Sequence, residues 1–352
     1  MNPLRYLAIY ALAILGPIGL ALGGWWTLLL PLTAFGLVPL GEALLPGTGG
    51  NLDDAQEAEV LQNPWFDRVI YGLVPLQWGS VLLLMLWVGN GRLAGWEAAG
   101  GVLAVGTLCG AIGINLGHEL GHRRGAFDKR MAKALLLSTH YLHFFIEHNR
   151  GHHANVSTPD DPASADRGEV VYAFWFKSVI GGWKHAWTLE DRRLKARSLG
   201  RWTWSNEMVR FTVLQVGAIV LAAAAFGPLA AAAWLGASLL GILLLETINY
   251  VEHYGLRRGR RDDGRWERVR PVHSWNSNHP VSRLLLFELT RHSDHHANPA
   301  RHYSVLRHFE EAPQLPTGYS GMVLLALLPP VFFAVMHPRI DRWTQQSPAL
   351  AA

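Results

Sequence analysis

The sequence has few charged residues, and the shortage is unevenly distributed. Asp, Glu, Lys and Arg make up 16% of the 352 residues, whereas 50% of the chain is hydrophobic. Four long stretches contain no charged residue: Tyr6 to Gly41, Val69 to Gly91, Ala98 to Gly117 and Phe211 to Leu245. Because an apolar run of about 20 residues is long enough to cross a bilayer as a helix, these stretches predict membrane spans.

Breaks at glycine and proline divide the four stretches into six helices. The first stretch breaks at Gly23 and Gly24 and the last at Gly227 and Pro228, while each middle stretch supplies one span. The sequence therefore predicts an all-α integral membrane protein with six transmembrane helices, built as a single membrane-embedded domain over residues 1–352. The predicted spans are 6–22, 25–45, 69–89, 97–117, 209–226 and 229–248, and a helical cap comprises 118–208 and 249–352.

Lys and Arg lie almost entirely on one side of these predicted spans. The positive-inside rule therefore predicts that the cap and both termini are cytoplasmic, in a multi-pass protein of the inner (cytoplasmic) membrane. A basic cluster from Arg257 to Arg261 follows the sixth span directly. Such clusters beside spans favour a surface facing anionic lipid over a nucleic-acid interface, and a docking surface for an acidic partner is a further interpretation. No nucleic-acid partner is expected.

Cysteine is almost absent as well. The single residue, Cys109, falls within the fourth predicted span. One cysteine excludes an internal disulfide and any cysteine-ligated iron or zinc module within the chain. Electrons for a redox reaction would therefore have to come from another protein.

Histidine, in contrast, is abundant and clustered. Four motifs bear most of the pattern: H-E-L-G-H at 118–122, E-H-N-R-G-H-H at 147–153, N-Y-V-E-H-Y-G-L at 249–256 and R-H-S-D-H-H at 291–296. Histidines three or four positions apart share one face of a helix and offer neutral nitrogen donors to a transition metal. The motifs contain nine histidines, more than twice the four donors of one tetrahedral zinc site, so the pattern predicts two metal ions.

Two other kinds of metalloprotein fit the pattern less well. H-E-x-x-H alone is typical of a zinc protease with Glu119 as general base, but that mechanism would leave most of the histidines unused. A metal transporter should place its ligands near the middle of the spans, whereas these motifs begin where the spans end. Imidazole ligands alone do not identify the metal, since zinc, copper, iron and nickel all accept them.

The motifs and spans together closely resemble the membrane-bound alkane hydroxylases, or alkane 1-monooxygenases. These belong to a histidine-rich superfamily with membrane desaturases and xylene-type hydroxylases, and the resemblance includes W-N-S-N-H at 275–279 and L-P-T-G-Y at 315–319. Arg123 and Thr290 stand where the family usually has Lys and Gln.

The resemblance implies O₂-dependent terminal hydroxylation of medium-chain n-alkanes to 1-alkanols. It also implies a non-haem diiron centre of two iron ions, with electrons from rubredoxin and rubredoxin reductase. The alternative function is that of a related membrane diiron enzyme, either a fatty-acyl desaturase or an alkyl-aromatic hydroxylase. A non-enzymatic metal transporter is the third hypothesis.

Motif matching also implies which residues bind the irons. The ligands would be His118, His122, His148, His152, His153, His253, His292, His295 and His296. Ligating histidines usually donate their second ring N–H to a carboxylate or carbonyl, so nearby polar residues are candidates for these supporting contacts. They are Glu119, Glu147, Asp160, Asp161, Glu246, Glu252, Asp294, His140, His143, His273 and His279. His185, His302, His308 and His337 match no motif and are expected at the surface.

A route for the substrate is the last feature predicted from the sequence. Gly106, Gly110, Gly113 and Gly117 form a smooth face on the fourth span that ends at His118. Such a face usually indicates close helix packing, and a slot for an alkane dissolved in the bilayer is the alternative. The small side chain of Ala34, in the second span, is a second candidate for the channel wall.

Overall fold

A computed structural model describes residues 1–346, so residues 347–352 of the predicted domain lie outside the described part. Within it the chain is helical, with two isolated β-bridges and no strand. The principal helices are α1 (Pro3–Leu22), α2 (Gly24–Leu44), α3 (Asp54–Gln62), α4 (Trp65–Gly89), α5 (Gly95–His122), α6 (Ala126–Ser138), α7 (144–155), α8 (Val171–Lys195), α9 (Glu207–Phe226), α10 (Pro228–His253), α11 (Pro280–Leu285), α12 (His292–Ala297), α13 (Tyr319–Ala326) and α14 (Pro329–Gln346).

Six of these helices, α1, α2, α4, α5, α9 and α10, are long and apolar enough to cross a membrane. This confirms the predicted all-α architecture with six candidate spans, while the side of the membrane on which the cap lies remains a prediction. Helices α13 and α14 are together also long and apolar enough to cross a membrane, but they are bent by 119° at the break between them.

Two spans are longer than their apolar runs. The fourth was predicted to end at residue 117, but α5 continues to His122, and α10 continues past the predicted end at 248 to His253. The polar residues of these final turns pack inside the protein, where burial against the cap replaces lipid. His118 and His253 are consequently fixed on the last turns of rigid helices.

The turns between paired spans require glycine. Gly23 and Gly24 join α1 to α2 with φ of 67° and 53°, and Gly227 joins α9 to α10 with φ of 90°. Backbone in this region is costly for residues with a side chain, so glycine allows these tight reversals.

The glycines of α5 allow it to pack closely against α10. A Cβ at Gly106 would lie 2.5 Å from a Leu240 side-chain carbon, and one at Gly241 would lie 2.5 Å from Cys109 Cβ. Gly113 faces elsewhere, since a Cβ there would meet Thr139 at 2.5 Å. The glycine face therefore has the packing role favoured for it, although Gly110 also borders an apolar cavity, and the slot interpretation is wrong for Gly113.

The cap is attached to the ends of the spans on the side where the histidines lie. Helix α8 joins two of these ends, because Trp175 Nε1 donates to Thr247 Oγ1 on α10 at 3.0 Å and the Glu207 amide of α9 donates to Glu190 Oε2 at 3.0 Å. Helix α7 packs beside α8, and α12 lies opposite it, where its histidines face those of α5, α7 and α10.

Candidate metal centre

The nine histidines of the four motifs converge in two adjacent groups. The first group is His118, His122, His148, His153 and His295, and the second is His152, His253, His292 and His296. Within each group the candidate ligand atoms all lie within 4.8 Å of one another. The groups adjoin, since the rings of His153 and His296 stack with their centroids 4.3 Å apart.

Helix α7 divides its three histidines between the groups because its middle turn is a π-helix, His148–His152. A π-helical turn contains more residues than an α-helical one, so positions five apart, which point to different sides of an α-helix, come close together. His148 Nε2 accordingly lies 3.0 Å from His153 Nε2, while His152 points to the second group. His148 and His152 remain neighbours, with ring centroids 5.2 Å apart, but they belong to different groups, so the shared ligation expected from their spacing is wrong.

The remaining helices supply the other donors. His118 and His122 on the last α-helical turns of α5 both face the first group, and His253 at the end of α10 faces the second. On α12, His292 and His296 are four apart and join the second group, whereas His295 projects to the first. Four separate segments thus surround the pair of sites.

The chemistry of these donors fits metal ions. Nε2 atoms approach one another closely, at 2.7 Å between His118 and His295 and 3.2 Å between His152 and His296. A neutral imidazole has only one N–H, so several Nε2 atoms meeting at one point leave lone pairs that a cation satisfies. Seven of the nine side chains are buried, and His122 and His153 are partly exposed.

Burial also keeps most of the cap histidines neutral, as metal ligands must be. It lowers the pKa of His148, His153, His292, His295 and His296 well below the usual value. His152 differs: burial lowers its pKa, but the adjacent Asp161 outweighs this effect and raises the pKa to about 9. The negative charge of Asp161 therefore stabilises positive charge at this ring, and a bound cation also supplies such a charge.

Asp161 makes the contact expected of a residue that orients a ligand. Its Oδ2 lies 2.9 Å from His152 Nδ1 and also accepts a hydrogen bond from Ser164 Oγ at 2.5 Å. The carboxylate is fully buried, and it holds the tautomer in which His152 Nδ1 carries the proton and Nε2 faces the second group.

Glu252 lies at the edge of the second group. Its Oε2 is 3.1 Å from His292 Nε2, the ring atom that faces the other histidines, and its Oε1 accepts a hydrogen bond from Tyr319 at 2.5 Å. Glu252 is therefore placed to contact a cation directly, beyond the supporting contact expected from the sequence. Sequence reasoning did not single out Tyr319, although L-P-T-G-Y was part of the resemblance.

The other candidate carboxylates contact groups outside the nine histidines. Glu119 pairs with Arg123 at 3.2 Å, Glu246 accepts from Tyr141 at 2.7 Å, and Asp294 accepts from Asn298 at 2.7 Å. Asp160 is exposed. Their expected contacts with ligand histidines are therefore not formed in the structure, because the helices direct these side chains towards other partners.

The remaining candidate histidines have separate surroundings. None of the four, His140, His143, His273 and His279, belongs to either group. His140 does not lie at the centre, because its partner Ser238, at 2.9 Å, is about 22 Å before His253 along α10. His143 lines a small pocket together with His148 and His152, and His273 contacts Glu267 at 3.1 Å. Ser274, the residue after His273, has its Oγ 3.5 Å from His253 Nδ1.

Glu147 has a partner that the sequence did not indicate. Its Oε1 lies 3.1 Å from Nδ1 of His185, a residue expected at the surface.

An apolar cavity leads from the membrane-spanning helices to both groups. Its wall includes Ala34 on α2, Leu108 and Ile112 on α5, and Leu244 on α10, and the histidines in its lining are His118, His148 and His292. Among residues 1–346, Glu252 is the only charged residue that lines this cavity. Asn115 also lines the cavity one turn before His118, and its buried Nδ2 has no hydrogen-bond partner among residues 1–346.

Comparison with known proteins gives consistent relatives. A family model described as "Fatty acid desaturase" matches residues 94–326. An alkane 1-monooxygenase of Pseudomonas putida is 42% identical, over 88% of this chain and 77% of that protein. Alkane 1-monooxygenase 2 of Pseudomonas aeruginosa is 39% identical, over 94% of this chain and 91% of that protein. The hydroxylase component of a xylene/toluene monooxygenase from Pseudomonas putida is 30% identical, over 98% of this chain and 91% of that protein.

Proposed function

Since the chain belongs to the alkane 1-monooxygenase family of membrane enzymes, we propose that it hydroxylates the terminal carbon of medium-chain n-alkanes with O₂ at two iron ions. The observation that supports this most strongly is the apolar cavity that meets both histidine groups. A monooxygenase acting on an alkane needs an apolar site beside its metals, and most of the residues that line this cavity are apolar.

We assign one iron to each histidine group. The first iron would be held by His118, His122, His148, His153 and His295, and the second by His152, His253, His292 and His296. The second group has one histidine fewer, and Glu252 lies beside it. When bound, the irons supply the oxygen chemistry, in which an alkane, O₂, two electrons and two protons give an alcohol and water.

The protein's own residues position the substrate and exclude water. The apolar wall formed by α2, α5 and α10 would bind the alkyl chain, and the reacting methyl group would lie beside His118 and His292, which line the same cavity. Asp161 fixes the orientation of His152, and Tyr319 fixes that of Glu252. The rigid ends of α5 and α10 hold His118 and His253 in fixed positions relative to the histidines of the cap.

Electrons must arrive from a partner, because the chain has a single buried cysteine and no iron–sulfur motif. We propose rubredoxin and its reductase as donors on the cytoplasmic side of the inner membrane. The loop from Arg257 to Arg270 offers a surface for an acidic carrier, with exposed Arg260, Arg261 and Arg268. Arg258 of this loop is buried and donates to the carbonyl of Ala154, next to His153.

Reconstitution with an alkane tests the proposed function. Proteoliposomes given rubredoxin, its reductase, NADH and octane should produce octan-1-ol, with consumption of NADH that depends on octane. The similarity to a xylene/toluene monooxygenase component makes p-xylene the informative competitor. Benzylic alcohol from p-xylene with no octanol would instead assign the chain to alkyl-aromatic hydroxylation, and an alkene product would indicate a desaturase.

Substitution in the cavity wall should change the accepted chain length. Ala34→Trp places a large ring in the cavity, so we expect the longest alkane hydroxylated to become shorter by several carbons. Leu37→Trp is the control, because Leu37 lies on the same helix but is 64% exposed on its outer surface. The measurement is the relative rate across n-alkanes of increasing length. Equal profiles for both variants and the unsubstituted protein would contradict this assignment of the cavity.

A further inference from the structure

Helix α8 has an apolar outer face that no other described part of the chain covers. Tyr172, Phe176, Ile180 and Trp183 follow one another at helical spacing, and all are exposed, Phe176 to 72%. The same face continues in the second half of the helix as Lys184, Thr188, Arg192 and Lys195, which are also exposed. Contiguous apolar surface of this kind is uncommon against water in a monomeric protein and marks an interaction site.

The position of α8 shows what covers this face. The helix runs from the end of α10, at the Trp175–Thr247 hydrogen bond, to the start of α9, at the contact between Glu190 and the Glu207 amide. Both span ends lie on the same side of the membrane, so α8 extends along the membrane surface at their level. This helix of 25 residues is about 37 Å long.

Neighbouring elements extend the apolar face at the same level. Trp202 and Trp204, directly before α9, are 78% and 65% exposed. At the other end of α8, the Tyr172 hydroxyl donates to the Leu327 carbonyl at 2.7 Å, beside exposed Leu324 and Leu328. Tryptophan and tyrosine concentrate where a bilayer meets water, and a helix with an apolar stripe and basic residues is typical of that interface.

We propose that the outer face of α8 is a membrane-contacting surface, embedded at the headgroup level of the bilayer that the spans cross. The apolar half contacts the boundary with the acyl chains, and Lys184, Arg192 and Lys195 lie among the lipid phosphates. A protein partner fits less well, because the face is continuous with the ends of spanning helices on both sides.

The inner face of α8 connects this surface to the metal-binding segment. His185 Nδ1 lies 3.1 Å from Glu147 Oε1, and Glu190 accepts a hydrogen bond from Arg150 at 2.8 Å. Gly151 on α7 allows His185 to approach, since a Cβ there would lie 2.8 Å from the His185 ring. Helix α7, which carries His148, His152 and His153, is therefore held between the span ends and a helix that rests on lipid.

A fluorescent label on α8 tests this placement in proteoliposomes of the full chain. The native Cys109 is buried, so the unsubstituted protein measures background labelling. Phe176→Cys carries an environment-sensitive nitrobenzoxadiazole label. Leu221→Cys, 70% exposed on α9, is the lipid reference, and Asp262→Cys, exposed in the basic loop, is the water reference. Ile180→Cys is the second test position, should Phe176→Cys fold poorly.

We expect the label at 176 to show blue-shifted emission and quenching by doxyl-labelled lipid, close to the values at 221 and distinct from those at 262. Retained alkane hydroxylation, or an unchanged size-exclusion profile if that activity is absent, shows that each variant is folded, so the result does not depend on the proposed reaction. Emission and quenching equal to those at 262 would overturn the proposal. Protection of the label only on addition of an acidic electron-carrier protein would overturn it in favour of a protein partner.

Discussion

Replacing His152 with Ala should remove nearly all hydroxylase activity and lower the iron content of the protein, while insertion into the membrane is unchanged. His152 is one of four histidines in the second group, and its Nε2 lies 3.2 Å from that of His296. Because the substitution deletes a ligand, we expect a loss larger than the roughly 10–100-fold typical when a residue supporting a ligand is changed.

His308→Ala is the matched control for this variant. His308 is in the cap but belongs to neither group, and its Nδ1 contacts Asn278. Iron per chain and octane turnover are measured on both purified variants. An H152A protein that retained full iron content and turnover would remove His152 from the ligand set.

Replacing Asp161 with Asn should lower activity or iron affinity by about 10–100-fold. The carboxylate is buried and contacts His152 Nδ1 at 2.9 Å, so it fixes the tautomer and increases the electron density of the ring. The amide retains the size of the side chain but loses the charge. The expected signature is weaker iron retention during dialysis against a chelator, together with reduced turnover.

The neighbouring aspartate provides a control in the same turn of the chain. Asp160 is exposed and contacts no histidine of either group in the described structure, so Asp160→Asn should behave as the unsubstituted protein. Equal behaviour of D160N and D161N would show that the contact between Asp161 and His152 has no role in holding the metal.

The sequence predicted much of the architecture because the signals that specify it are local. Runs without charge indicate spans, and histidines at a spacing of three or four indicate shared ligation, so both could be read directly from the chain. The glycine series of α5 likewise indicated close packing, which Gly106 shows in the structure by its approach to Leu240 of α10.

The division of the nine histidines between the two groups could not be predicted from the spacing of residues within each motif. The π-helical turn at His148–His152 changes which histidines of α7 meet at the same point, compared with a regular α-helix. It forms where α7 packs between α5 and α8. The partners of buried carboxylates were equally unpredictable, because Glu147 meets His185, 38 positions away, and Glu252 meets Tyr319, 67 positions away. These contacts depend on how distant helices meet.

The most direct test of the two-iron centre is the metal content of the purified, unsubstituted protein. Quantitative elemental analysis of protein isolated in detergent from cells grown with iron should give two iron atoms per chain, one for each histidine group. Zinc in place of iron, or a limit of one iron per chain after reconstitution with excess ferrous iron, would contradict the account.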